Sequence, residues 1–233
     1  YMTHQITKEC LVEFMGTFIL VFIGAASVIV APVFGLIVPA FAHGLIVIGL
    51  IFTFGHISGT QINPAVTVAL WVGRQQPLTK SILFIVLQFL GGIAAAIALL
   101  LLLPQDNIAV VEFLGEASYN YGQTKGFLTE TAVWSAALYE ALLTFCLVTV
   151  IYQTAVYGKA DNLAGIVIGM TLTALILGGG PATGASINPA RSLGPALMAQ
   201  DTGYLLPYFV GLFGGGVIAG LFNTYILYDA TER

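Results

Sequence analysis

Two asparagines, Asn63 and Asn188, each begin an Asn-Pro-Ala segment inside a chain that is otherwise strongly apolar. The first segment lies in SGTQINPAVTVAL and the second in TGASINPARSLGPAL. Asn is a good helix N-cap, and Pro fits the first helical position, where no N–H is needed. Each segment therefore predicts a helix that begins directly after its asparagine.

The polar atoms of these segments could line a narrow path through an apolar protein. Each Asn oxygen would cap its own helix, which leaves two amide donors for a solute. The preceding SGTQ and TGAS would be extended, and such backbone is tolerated at membrane depth only when packed in protein or lining a watery cavity. The candidate pore-lining carbonyls belong to Gly59, Thr60, Gln61, Thr183 and Gly184.

The two Asn-Pro-Ala helices are too short to cross a membrane. Each has about ten residues, or ~15 Å at 1.5 Å per residue, which is half of a ~30 Å hydrocarbon core. Two such half-helices, beginning at Pro64-Ala65 and at Pro189-Ala190, can meet amino end to amino end. Each end carries about +0.5 charge, so cations are repelled. A water molecule held by both amides would turn its hydrogens away from them, which interrupts a proton-conducting chain, whereas small neutral solutes can pass.

The composition predicts an integral membrane protein. Hydrophobic residues make up 58% of the chain and charged residues 8%, and the mean hydropathy is +0.95. A soluble domain carries roughly 25% charged residues. Six apolar runs are each near the ~20 residues that a spanning helix needs, and none alternates as a barrel strand would. These runs are 10–30, 34–54, 82–103, 132–152, 163–180 and 204–227.

The chain repeats itself. VEFMGTFILVF, with Glu13, resembles YEALLTFCLVTV, with Glu140, and each stands at nearly the same distance before its Asn-Pro-Ala segment. Three spans per copy is an odd number, so the second copy must enter the membrane from the opposite side. We expect one channel domain over 1–233, built of two inverted repeats at about 1–128 and 129–233. Glu13 and Glu140 are expected to accept the unpaired N–H groups of the two loops. Gly44, Gly49, Gly165 and Gly169 recur at a spacing that predicts close helix packing.

Charge predicts the orientation. Most cations fall on one side of six spans, and by the positive-inside rule that side is the cytoplasm, with both termini. They are Lys8, Arg74, Lys80, Lys159 and Arg233. The other side carries the longest loop, about 104–130, with Asp106, Glu112, Glu116 and Glu130 against Lys125. We expect the plasma (inner) membrane. No basic patch indicates nucleic acid, and Cys10 and Cys146, both within apolar runs, indicate neither a disulfide nor a metal site. We expect no cofactor and no enzymatic activity.

The doubled Asn-Pro-Ala boxes, GHISGTQINPAVT and GASINPARSLGPA, in six spans resemble the aquaporin (major intrinsic protein) family over the whole chain. The resemblance implies six transmembrane helices plus two re-entrant half-helices, a water pore and a homotetramer with one pore per subunit. It also implies a filter on the outer side, which at matching spacings comprises His43, Ile176, Ala185 and Arg191.

The filter differs from that of typical bacterial water channels, which look like Phe, His and Thr at the first three places. It resembles the His-Ile-Ala-Arg type of plant tonoplast intrinsic proteins, although the overall chain looks like a prokaryotic member. The resemblance extends the candidate solutes to ammonia, urea, hydrogen peroxide and glycerol. Glycerol facilitators usually show Asp after the filter Arg and often a basic residue further on, whereas Ser192 and Ala196 stand here, which favours water.

Several alternatives stay open at the level of sequence. The two asparagines could be helix caps only, Arg191 could be a snorkelling surface residue, and His43 could be a packed core residue bonded to a backbone carbonyl. Within the family, the alternative function is a broad glycerol and urea facilitator. A proton-coupled secondary transporter also uses inverted repeats and half-helices, with Glu13 and Glu140 as its only candidate proton sites. A non-conducting junction or structural protein is a further hypothesis.

Overall fold

Helices make up most of the protein. The computed structural model describes residues 2–115 and 119–228, and no β-strand occurs within those ranges. In chain order the helices are α1 (Met2–Ile29), α2 (Ala31–Phe34), α3 (Ile37–Ser58), α4 (Pro64–Val72), α5 (Leu78–Leu102), α6 (Ile108–Leu114), α7 (Phe127–Thr131), α8 (Val133–Ile151), α9 (Ala164–Thr183), α10 (Pro189–Met198) and α11 (Leu205–Phe222). The π-helical turns Tyr152–Val156 and Asn223–Leu227 extend α8 and α11, and the 3-10 turn Asp161–Leu163 precedes α9.

Six of these helices, α1, α3, α5, α8, α9 and α11, are long and apolar enough to cross a membrane, which confirms the predicted number of spans. The predicted loop 104–130 contains two short helices, α6 and α7. Asn107 caps α6, its side chain accepting from the Ala109 N–H at 2.9 Å. Glu116 and Arg233, which entered the charge argument, lie outside the described residues.

The two predicted half-helices are present as α4 and α10, with 9 and 10 residues. Each begins at the proline of its Asn-Pro-Ala segment. Neither is long enough to cross a hydrocarbon core of ~30 Å. Both prolines and both alanines are buried, so the two helices begin inside the protein and not at its surface.

The packing follows the repeat. The first and third spans of each copy lie against each other, α1 on α5 and α8 on α11, while the two second spans, α3 and α9, pack between the copies. Each half-helix packs on the third span of the other copy, α4 on α11 and α10 on α5. The two copies are therefore interlocked, and the start of each half-helix is held by both.

Glycines let the helices approach at two kinds of place. An added Cβ at Gly216 would lie 2.6 Å from the Ala65 carbonyl oxygen, and one at Gly92 would lie 2.5 Å from that of Ala190. The Asn-Pro-Ala alanines thus rest on glycines of the opposite copy, where no side chain fits.

The second close approach joins α3 to α9. A Cβ at Gly44 or at Gly169 would lie 2.5 Å from the carbonyl oxygen of the other residue, and one at Gly165 would lie 3.1 Å from Ile51. The packing prediction was wrong for Gly49, which is exposed and has no atom within 4 Å of an added Cβ.

Candidate functional site

Both asparagines cap their half-helices, as predicted. The side-chain oxygen of Asn63 accepts from the Ala65 N–H at 2.9 Å. That of Asn188 accepts from the N–H groups of Ala190 at 3.0 Å and Arg191 at 3.3 Å. These bonds satisfy donors that the first turn of a helix would otherwise leave unpaired.

The amide nitrogens connect the two copies, which the sequence did not predict. Asn63 Nδ2 donates to the Ile187 carbonyl at 2.8 Å, and Asn188 Nδ2 donates to the Ile62 carbonyl at 2.8 Å. The prediction of two free donors on each side chain was wrong, because one N–H of each amide is used in this exchange. One N–H of each remains for a solute.

The loops before the asparagines have the same unusual backbone in both copies. Gly59, Thr60 and Ile62 have φ values of 87°, 49° and 44°, and the matching Gly184, Ala185 and Ile187 have 81°, 43° and 57°. A positive φ is costly for β-branched residues such as Thr and Ile. The loops must therefore be held by contacts from outside themselves.

Two buried glutamates supply those contacts in the predicted way. Glu13 accepts from the N–H groups of Gln61 at 2.9 Å and Ile62 at 2.6 Å, and also from the Ser58 hydroxyl and the Gln88 amide. Glu140 accepts from the N–H groups of Ser186 and Ile187, each at 2.8 Å, and from the Thr183 hydroxyl at 2.6 Å. Both carboxyl groups are fully buried.

A cavity of about 230 Å³, here called the central cavity, runs past both asparagines. Predicted pore residues among its walls are Gly59, Thr60, Gln61, Asn63, Asn188, His43, Ile176 and Arg191. The remaining walls are mainly apolar, such as Leu20, Val47 and Leu172. A second cavity, the filter-side cavity, is bordered by His43, Ile176 and Gly184.

Thr183 departs from the prediction that its carbonyl lines the pore. The residue is fully buried and lines neither cavity. Its carbonyl accepts from the Tyr208 hydroxyl at 2.7 Å, so this oxygen anchors α9 to α11. The sequence offered no local sign of that bond, because Tyr208 comes from a different span.

Three predicted filter residues lie where the two cavities meet. His43 and Ile176 border both cavities, and Arg191 borders the central one. Ala185 lines neither cavity, but its neighbours Gly184 and Ser186 line the filter-side and central cavities respectively. Ala185 therefore lies at the level of the boundary, within the same buried cluster as Ile176.

Arg191 is 2% exposed and is held by two partners. Its Nε donates to His43 Nε2 at 3.0 Å, and its Nη1 donates to the Gly122 carbonyl at 2.7 Å. His43 Nδ1 lies 2.7 Å from the Pro39 carbonyl, which can only accept, so the proton is on Nδ1 and Nε2 is free to accept. The histidine thus makes the backbone bond of a core residue and also contacts the arginine. Gly122 was missed, and only its NYGQ turn sequence could have indicated it.

Hydroxyl and amide side chains connect each loop to its surroundings, and these were also missed. Ser192, one residue after Arg191, lies 2.6 Å from the Ser186 hydroxyl and 2.5 Å from that of Thr124. In the first copy Thr67 takes the matching place and donates to Gln61 at 2.7 Å. Through Ser192, the filter loop at Ser186 is connected to Thr124, in the segment that contains Gly122.

An ion pair at Lys125 also holds the segment that contains Gly122. Lys125 Nζ donates to Asp201 Oδ2 at 2.7 Å and also pairs with Glu130. Hydrogen bonding from Lys125 holds the pKa of the Asp201 carboxyl below its usual range. For Lys125, partial burial alone would lower the pKa, but the bonds to Asp201 and Glu130 raise it above its usual value.

These features together form a cavity with polar and apolar walls that passes the amino ends of both half-helices. Among the residues that the structure describes, no group of three His, Cys, Asp or Glu side chains could hold a metal ion. The sequence profile of the family described as "Major intrinsic protein" matches residues 1–223. The chain belongs to the major intrinsic protein family. Members of this family are passive membrane channels.

Individual family members agree with this assignment. "Aquaporin TIP1-1" of Zea mays is 35% identical, over 97% of this chain and 89% of its own. "Glycerol uptake facilitator protein-like 6" of Lactiplantibacillus plantarum is 36% identical, over 91% and 94%. The X-ray structure of the aquaglyceroporin from Plasmodium falciparum superposes with a TM-score of 0.82 at 20% identity, covering 95% of this chain and 97% of that one. That structure supports the fold alone.

Proposed function

We propose that the protein is a passive transmembrane channel for water that excludes protons and other ions. The observation that carries this proposal is the paired amide at Asn63 and Asn188, each with one N–H left over and each bordering the central cavity. A water molecule that accepts from both directs its own hydrogens away from the pair. The proton chain is interrupted at that point, while the water molecule itself can move on.

We propose His43, Ile176, Ala185 and Arg191 as the filter. The buried Arg191 and the amino ends of α4 and α10 place positive charge along the path, which opposes the passage of cations. Ile176 forms an apolar, less restrictive wall, and Ala185, which lines neither cavity, belongs to the same buried cluster. Ammonia, urea, hydrogen peroxide and glycerol are therefore the solutes to test beside water.

A glycerol and urea facilitator is the second candidate, supported by the apolar Ile176 and by the relative named as a glycerol uptake facilitator-like protein. Ser192, in contrast, favours a water channel over a glycerol facilitator. Its hydroxyl is occupied by Ser186 and Thr124, so it adds no free polar group for a polyol.

A proton-coupled transporter has less support. Its two candidate proton sites, Glu13 and Glu140, border neither cavity, and each accepts at least three hydrogen bonds that hold a strained loop. The proposal therefore gives these residues a structural role, and it includes neither an enzymatic activity nor a cofactor.

We further propose one channel domain over 1–233, with inverted repeats at about 1–128 and 129–233, assembled as a homotetramer in lipid. The filter side and the segment with α6 would face outward, and both termini the cytoplasm, in the plasma (inner) membrane. The spanning helices expose large apolar side chains such as Leu45, Leu138 and Ile218, which suit lipid or neighbouring subunits. No nucleic acid partner is proposed.

Stopped-flow light scattering on proteoliposomes tests the function. Osmotic shrinkage in sucrose should be much faster than in protein-free vesicles, and a proton uncoupler should not change it. Re-swelling in glycerol and in urea then separates the two family functions. Fast re-swelling in glycerol supports the facilitator, and flux that depends on the proton gradient supports the transporter.

A further inference from the structure

One turn of α1 lies behind both partners of Arg191. An added Cβ at Gly24 would lie 2.7 Å and 2.8 Å from two carbons of the His43 ring, and closer still to Nε2, the atom that Arg191 contacts. The next residue, Ala25, packs against Gly122, the other partner of Arg191. A Cβ at Gly122 would lie 2.6 Å from the Ala25 Cβ and 2.7 Å from its carbonyl oxygen.

We propose that Gly24 and Ala25 are positioning residues for Arg191, and that through His43 and Gly122 they help to determine which solutes the channel passes. This proposal rests on the proposed channel function and deepens it. Neither residue lines the central or the filter-side cavity, so neither touches a solute. Both act by setting the positions of His43 and Gly122, which in turn hold Arg191.

The absence of a side chain at Gly24 gives the His43 ring its place. The ring is held on one side by the Pro39 carbonyl, and in that position Nε2 faces Arg191 at 3.0 Å. A methyl group at Gly24 would occupy the space of the ring itself. Since the obstructing atoms are the far end of a side chain and not backbone, the ring would move and the helix would remain.

The same turn of α1 is joined to the segment of Gly122. The Ser27 hydroxyl donates to the Gly24 carbonyl at 2.6 Å, and the Asn120 amide donates to the Val28 carbonyl at 3.0 Å. Asn120 also accepts from the Gly122 N–H at 2.9 Å, so it connects α1 to the residue that holds Arg191 Nη1. His43 and Gly122, the two acceptors of Arg191, are therefore both packed against the same turn of α1.

The first test compares Gly24→Ala with Gly49→Ala in proteoliposomes. Gly49 is the matched control, because it lies on the same helix as His43 and has open space for a methyl group. Since overpacking forces side chains off their positions, Gly24→Ala should change the ratio of urea to water permeability by about threefold or more, and Gly49→Ala should leave it unchanged. An unchanged ratio in Gly24→Ala would overturn the proposal.

A double-mutant cycle with His43→Ala separates positioning from general packing. In that background the ring is absent, so Gly24→Ala should no longer change the ratio. An equal effect of Gly24→Ala in both backgrounds would show that it acts elsewhere, and would also overturn the proposal.

A readout without flux keeps this inference distinct from the channel function. The ring nitrogens of the 3 histidines can be observed by nitrogen-15 solid-state NMR in lipid, with His43→Ala identifying the signals of His43. The wild type should show a neutral His43 ring with its proton on Nδ1, and Gly24→Ala should shift the Nε2 signal as the bond from Arg191 is lost. If the wild type conducts no water but this shift occurs, the proposed function fails and the positioning role stands. If the shift does not occur, the positioning role fails.

Discussion

The side-chain amides of Asn63 and Asn188 each donate to the carbonyl oxygen of the residue that precedes the other, both at 2.8 Å. This exchange joins the two copies of the repeat at the point where the half-helices begin. It also fixes the direction of the one N–H that each amide keeps. The asparagine pair is thus a structural connection and the proposed water site at once.

Replacing Asn63 by Asp should damage both roles. Asp caps a helix as well as Asn does, so α4 should still form. The amide donor is lost, however, and the Ile187 carbonyl loses its partner, at a cost of about 1–3 kcal/mol for a buried group. We expect lower water permeability and weaker exclusion of cations, measured by proteoliposome shrinkage and by a proton-sensitive dye inside the vesicles.

Asn107→Asp is the matched control for that change. Asn107 caps α6 outside the pore, accepting from the Ala109 N–H at 2.9 Å. Its replacement should leave water and proton flux unchanged. Equal proton flux in Asn63→Asp and the wild type would contradict the role given to the amide.

Glu140→Ala should destabilise the protein strongly. It leaves two buried N–H donors unpaired, on Ser186 and Ile187, and the Thr183 hydroxyl keeps only its 3.4 Å bond to the Gly179 carbonyl. Since each unpaired N–H costs about 1–3 kcal/mol, the loss should reach about 2 kcal/mol or more, and the filter loop should lose its strained backbone. Thermal unfolding in detergent measures this, with the exposed Glu112→Ala as control. A normally stable Glu140→Ala protein that loses only proton-dependent flux would instead support a proton relay.

Gly216→Ala should weaken the contact between α11 and the start of α4. The added methyl would lie 2.6 Å from the Ala65 carbonyl oxygen, and overpacking of this kind costs about 1–3 kcal/mol. Gly214 lies on the same helix and has no atom within 4 Å of an added Cβ. Gly214→Ala should therefore be neutral or slightly stabilising, because Ala favours helix. Gly216→Ala should have a lower melting temperature than Gly214→Ala, and equal melting temperatures would refute the contact.

Acid should release the segment that contains Gly122. The bond from Lys125 holds the pKa of Asp201 below its usual value of 3.8, so the pair contributes its full stabilisation above that value, up to the alkaline range in which Lys125 loses its proton. The stabilisation is lost as the pH falls through the lowered pKa. Hydrogen exchange over 119–126, corrected for its intrinsic pH dependence, should rise only below about pH 4.

Asp201→Asn should show the raised exchange already at neutral pH, and Asp106→Asn, in an exposed position, should not. A wild-type rise between pH 5 and 7 would mean that a group other than Asp201 controls this segment.

The sequence predicted those features that depend on local pattern. Spans followed from apolar length, and the half-helices followed from Asn-Pro caps and from a segment too short to cross. Glu13 and Glu140 could be assigned because a buried carboxyl group needs donors, and the loops had N–H groups to offer.

Features that depend on distant partners could not be predicted. Nothing local indicates that Ile62 and Ile187 adopt positive φ, since that backbone persists only because the glutamates hold it. The amide exchange and the bond from Tyr208 to the Thr183 carbonyl likewise join residues from different parts of the chain. Gly122 lies in a loop whose course only the folded protein reveals.

The most direct test of the central claim is water and proton flux measured on the same proteoliposomes. The paired amides and the filter predict fast water flux, with an activation energy close to that of diffusion in bulk water, and no proton flux above that of protein-free vesicles. Water flux no faster than in protein-free vesicles, or proton flux that rises together with it, would contradict the account.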